Sequence, residues 1–178
     1  MHGVVSFLDP KHHQLVKDLW AELAREFAVS KVYQAPEPHF SYQLARHYNI
    51  KSLESVLRRF AASKTSFQVR TGGLGIFPGP RPVLYIPVVH SPELTQFHEA
   101  LWQEIFNTGS GMLDYYHPAH WVPHITLGIG DMKKGNLSQI VRLLAERNFN
   151  WEMTVNNIAL IYDPIFPLFG TRISIFAL

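Results

Sequence analysis

The 178-residue chain has no cysteine. That excludes disulfides, thiolate nucleophiles and cysteine-ligated zinc, and it fits a reducing, cytoplasmic compartment. Long apolar runs are also missing. No stretch approaches the roughly 18 residues of a membrane-spanning helix, so no membrane association is expected. The opening "MHGVVSFLDPKHH" has neither a basic stretch nor a long apolar core, so it does not read as a secretion signal. Charge of one sign is scarce too. Sixteen Lys and Arg stand against fourteen Asp and Glu, a formal balance of +2. A protein that coats a long nucleic-acid duplex through phosphate contacts needs more. A small anionic ligand or a nucleic-acid terminus stays open. With 47% hydrophobic and 17% charged residues the chain reads as globular, and its length can bury a sizeable core.

What is present is a pattern written twice. "DPKHHQLVKDLWAEL" from Asp9 and "SPELTQFHEALWQEI" from Ser91 share five residues at an offset of 82, among them Pro10 with Pro92 and Trp20 with Trp102. Each begins with an N-cap residue and a proline, a helix start. The apolar spacing is helical in both, through Leu15, Leu19, Leu23 and Phe27, and through Leu94, Phe97, Leu101 and Ile105. "PHFSY" at 38–42 and "PHITL" at 123–127 match at an offset of 85. Apolar residues of two further helices match at 84, as do the strands "SFQVRTGGLGIF" and "NWEMTVNNIALI". The chain therefore reads as an internal repeat, approximately 1–81 and 82–178, within a single bilobal domain. Each unit runs strand, helix, strand, helix, strand, and "TRISIFAL" closes the chain. Alternating helices and strands also suit a parallel doubly wound sheet, but no glycine-rich phosphate loop follows the first strand. The glycines of "TGGLGIFPGPRP" read as a turn between strands.

In an extended strand alternate side chains share a face. His39 and Ser41 then point one way, as do His124 and Thr126. Phe40, Tyr42, Ile125 and Leu127 point the other way, into packing. If a pseudo-twofold axis relates the lobes, two imidazoles and two hydroxyls meet across a groove. Such a set suits phosphodiester hydrolysis. One histidine takes a proton from water and the other protonates the leaving oxygen. The hydroxyls donate to phosphate oxygens as charge shifts. No metal or other cofactor is required.

Two H-x-[ST]-x motifs, His39-Phe40-Ser41-Tyr42 and His124-Ile125-Thr126-Leu127, one in each half of a repeated chain, resemble the 2H phosphoesterase superfamily. That superfamily includes the 2′-5′ RNA ligase-like proteins and the 2′,3′-cyclic nucleotide phosphodiesterases. The resemblance implies an α+β bilobal fold, each lobe a curved antiparallel sheet with outer helices and the histidines in the groove between. It implies that His39 and His124 are acid and base, in an order the sequence leaves open, and that Ser41 and Thr126 hold phosphate oxygens. It implies a substrate that is a nucleotide cyclic phosphate, an RNA end or a short oligonucleotide. Ligase-like members often carry arginine five residues after the second histidine, and Ile129 stands there instead. RNA 2′-5′ ligation and a binding module with little turnover are the rival readings.

Other candidates for substrate contact are Arg81, Tyr85, Tyr115, Tyr116 and Trp121. Arg81 could supply positive charge, or be a solvated loop residue. Tyr85, with Phe77, could stack a base or belong to the core. Tyr115, Tyr116 and Trp121 lie in "GSGMLDYYHPAHWVP", which reads as a loop at the mouth of the second histidine strand. His120 and His124 have the spacing of a helical zinc pair, but Pro123 between them disfavours that helix. His12 and His13 read as solvated. The repeat already supplies the two lobes that a dimer would, so a monomer is expected.

Overall fold

The computed structural model describes residues 2–35, 37–132, 135–162 and 171–178. Among them the order is β1 (His2–Phe7), α1 (Pro10–Phe27), β2 (His39–Tyr48), α2 (Ile50–Ala62), β3 (Phe67–Arg70), β4 (Gly75–Phe77), β5 (Val83–Pro87), α3 (Pro92–Ile105), β6 (Gly109–Met112), β7 (His124–Ile129), α4 (Leu137–Ala145), β8 (Glu152–Val155), β9 (Asn157–Tyr162) and β10 (Arg172–Ala177). Both proline-led helices start as their caps dictate. The Asp9 carboxylate accepts from His12 N–H and the Ser91 hydroxyl accepts from Leu94 N–H.

Among the described residues every strand pairing is antiparallel. That rules out a parallel doubly wound sheet. One sheet runs β10-β9-β1-β2-β6, a second runs β4-β5-β7, and β3 pairs with β8. The two histidine strands are built alike. Phe7 faces His39 and Val5 faces Ser41 across β1–β2. Pro87 faces His124 and Tyr85 faces Thr126 across β5–β7. The register slips at the same level in both strand pairs, so Tyr42 and Leu127 have no opposite residue. A bulge of this kind bends its strand and re-aims the neighbouring side chains.

Strands from early and late in the chain complete each other's sheets. β9 pairs with β1, and β4 pairs with β5. Helices cross over too. α1 packs against β7 and α3 against β2. The core between them includes Phe40, Tyr42, Leu84, Ile86, Leu101, Ile125 and Leu127, all almost wholly buried.

Two expectations for the first helix need correction. Leu15 is 39% exposed, and the buried face runs His12, Val16, Leu19, Trp20, Leu23. His12 is not solvated. Its Nδ1 lies 2.8 Å from both Asp9 carboxylate oxygens, and its ring packs 5.4 Å from Trp151. The carboxylate satisfies the imidazole, which frees a helix-face position for a polar side chain. His13 is half-buried and pairs with Glu37 at 2.6 Å. A third correction concerns residues 109–112. They form a strand on the edge of β2 rather than loop.

Candidate active site

β2 and β7 lie side by side, and a groove of about 860 Å³ opens over them. His39, Ser41, His124 and Thr126 all line it. Strand alternation explains why, since Phe40, Tyr42, Ile125 and Leu127 are buried on the opposite face.

The two imidazoles are held in the same way. His39 Nδ1–H donates to the Glu37 carbonyl at 2.7 Å, and His124 Nδ1–H donates to the Val122 carbonyl at 2.7 Å. A carbonyl only accepts, so each bond places the proton on Nδ1 of the neutral ring. Nε2 is left as the nitrogen that can take or give a proton. Each ring also meets a phenylalanine edge-on, Phe7 at 6.4 Å for His39 and Phe77 at 5.0 Å for His124. Burial holds His39 below the ordinary histidine pKa. The Glu37 carbonyl pulls it upward, and charge on His124 pushes it down further. Burial lowers His124 as well, against an upward pull from the Val122 carbonyl. The pair is therefore poised to carry one proton more readily than two.

A family model for the 2′-5′ RNA ligase superfamily matches residues 8–163. The chain belongs to that superfamily. Its α+β architecture, four helices on antiparallel sheets among the described residues, is the 2H phosphoesterase fold. Similar solved structures include TT0787 of Thermus thermophilus, at 16% identity and a TM-score of 0.64, covering 99% of this chain and 97% of that one. Another is Usb1 of Kluyveromyces marxianus, at 12% identity and a TM-score of 0.50, with the same coverage. No curated protein matches significantly.

In this member of the superfamily the wall residues sort differently from the sequence expectation. Tyr115 and Tyr116 line the groove, Tyr115 at 80% exposure. Tyr116 sits beside the Ser41 side chain, and burial raises its phenol pKa. Three other candidates do not line it. Trp121 is 4% exposed because its indole N–H serves the Ser41 carbonyl inside the fold. Tyr85 is 9% exposed. It lies under Phe77 at 4.2 Å and against His124 at 5.2 Å. A side chain at Gly75 would run into the Tyr85 ring, so glycine permits that layering. Arg81 packs beside Gly130 and is not among the groove-lining residues.

Trp20, Lys31, Gln34, Phe77, His120 and Ile129 also line the groove. Lys31 and Gln34 belong to a 3-10 turn in the loop before the first motif. Asp131, two residues beyond β7, fixes that turn by accepting from Ser30 and Lys31 N–H at 2.7 Å each. The signal was available in the sequence. "SKVYQAP" precedes the first motif as "DYYHPAHW" precedes the second, and a mouth loop in one half implies one in the other.

Proposed function

We propose that the protein is a metal-independent phosphodiesterase that hydrolyses a 2′,3′-cyclic phosphate or a 2′,5′-linked oligonucleotide. The observation that carries this is the pair of like-held imidazoles. Both line one groove with Nδ1–H committed to a backbone carbonyl, and each is followed two residues later by a hydroxyl.

With one proton shared by the pair, the neutral ring accepts a proton from water at Nε2 as the water oxygen bonds to phosphorus. The protonated ring gives its Nε2 proton to the departing ribose oxygen as the P–O bond breaks. For a cyclic substrate, family resemblance suggests cleavage of the bond to O3′, leaving a 2′-phosphomonoester. The rings have then exchanged protonation states, and solvent restores them. Ser41 and Thr126 donate to the non-bridging oxygens, where charge shifts in the transition state. Phe77 and Tyr115 offer ring faces and edges to a base, a sequence-tolerant contact. The matching register of the two histidine strand pairs supports a duplicated chain, with residues 1–81 and 82–178 as its halves; such a chain supplies both lobes of the groove by itself and would act as a monomer.

The reading is tested by incubating the protein in excess EDTA with the four nucleoside 2′,3′-cyclic phosphates and a 2′,5′-linked adenylate trimer. His39→Ala and His124→Ala are run alongside. Turnover that survives EDTA and disappears in both variants is expected. Affinity without turnover, unchanged in the double variant, would favour a binding module instead. Joining of RNA ends without hydrolysis would favour ligation.

A further inference from the structure

Each motif has its hydroxyl residue tied down at the backbone by an indole. Trp121 Nε1–H donates to the Ser41 carbonyl at 2.8 Å, and Trp20 Nε1–H donates to the Thr126 carbonyl at 2.9 Å. Both tryptophans are almost wholly buried, at 4% and 2% exposure. A buried carbonyl has to find a donor, and here strand pairing is thin. Among the described residues, β6 reaches β2 only between Ala45 and Tyr48, and β7 is the last strand of its sheet. Both bonds land one residue before the unpaired residue of a bulge, Tyr42 or Leu127. Without a fixed point there, the bulge alone would set where the hydroxyl and the histidine aim.

The ties run crosswise. Trp20 lies in α1, ahead of the first motif, and bonds to the second. Trp121 lies just ahead of the second motif and bonds to the first. Trp121 is itself fixed. Its carbonyl accepts from His90 Nε2–H at 2.9 Å, and its ring lies 3.7 Å from that of His98, whose Nε2–H donates to the Tyr42 carbonyl. The next residue, Val122, supplies the carbonyl that orients His124. The dipeptide Trp121-Val122 thus bonds to the first motif through a side chain and to the second through the backbone.

We infer that Trp20 and Trp121 are positioning residues that set the placement of the two histidine motifs relative to each other. Trp121 acts through Ser41 and Val122, and Trp20 acts through Thr126. An in-line displacement needs acid and base on opposite sides of one phosphorus, and small misplacements of reacting groups cost rate steeply. The kinetic consequence rests on the phosphodiesterase reading. The geometric one does not.

Trp20→Phe and Trp121→Phe delete the N–H and keep an aromatic ring. Trp151→Phe is the control. It too deletes an indole N–H, but that N–H donates to the Asn148 carbonyl and the ring packs on His12 and Phe149, outside the groove lining and both ties. All proteins are assayed below the melting temperature of the least stable. Trp20→Phe and Trp121→Phe are each expected to lower kcat by about 10²-fold with little change in KM, and the control to leave both in place. In ¹⁵N-detected titrations the His39 and His124 midpoints are expected to move in Trp121→Phe and not in the control. If a phenylalanine variant does not fold, benzothienylalanine at the same position keeps the bicyclic shape and removes only the N–H. Lowered melting temperatures with wild-type kcat and unmoved midpoints would overturn the inference. If the wild type turns over no phosphodiester, the function proposal fails and the titrations alone decide this one. Unmoved midpoints would then refute it.

Discussion

Acidification from pH 7 to pH 4 is expected to loosen the fold through His98 in particular. This side chain is 1% exposed in α3, with Nε2–H on the Tyr42 carbonyl at 2.9 Å. Burial drives its pKa down to about 4. Charge on His90 and His117 pushes the same way, and bonds to the Tyr42 and Tyr116 backbone only partly oppose it. In the unfolded chain the ordinary value near 6.5 applies. The sign follows. At pH 7 neither state holds the proton. As the pH falls through 6.5 the unfolded state takes it first, so stability is lost on acidification until the folded value is reached. A gap from 6.5 to about 4 corresponds to roughly 3 kcal/mol, with roughly 2 kcal/mol already lost by pH 5. The comparison protein is His98→Gln, whose amide can reach the Tyr42 carbonyl and does not titrate. Urea unfolding of both proteins at pH 7, 6, 5 and 4 gives two stability curves. Asp9, Glu37, His39 and His124 titrate in both and cancel in the difference. The wild-type curve should fall more steeply by the stated amount. Parallel curves would refute the assignment of this loss to His98.

Three further outcomes are expected. Because both groove histidines sit below the ordinary value, the singly protonated pair is most populated under mildly acidic conditions, so kcat/KM should be bell-shaped with its optimum below pH 6.5. An optimum above pH 7 would contradict the burial argument. Ser41→Ala and Thr126→Val should each lower kcat by about 10²-fold, as loss of a transition-state donor does, when steady-state rates are compared with the wild type. Ser6→Ala should cost about 1–3 kcal/mol in urea unfolding. It strands the Tyr42 hydroxyl, 2.9 Å away, and the Asn157 carbonyl, both of which the serine hydroxyl serves in the interior.

Local chemistry is what the sequence displayed most openly. Asp9-Pro10 and Ser91-Pro92 announce helix starts because cap and proline act within one turn. The alternation in "HFSY" and "HITL" announces which side chains share a face. Features decided by tertiary packing were not visible in the same way. Gly109–Met112 carries no strand signal of its own and is strand because the β2 edge needs partners. Trp121 reads as a loop aromatic and is core because a bare carbonyl at Ser41 needs its N–H. The repeat aligns Trp20 with Trp102, but the residue that answers Trp20 across the groove is Trp121, from a different element. His12 looks like a helix-start histidine facing water, and only the position of Asp9 in space shows why it is buried.

The exchange of strands between the two ends of the chain bears on how a substrate can be received. Residues 2–77 and 83–177 are laced together by β1–β9, β3–β8 and β4–β5 as well as by β2–β6. A cut in the 78–82 turn would leave two fragments still knitted through every one of these seams. Neither fragment could swing on the other without unzipping hydrogen-bonded ladder. The gap between His39 and His124 is thus a dimension of the scaffold and not the setting of a hinge. On the phosphodiesterase reading, a substrate must fit a spacing that exists before it arrives.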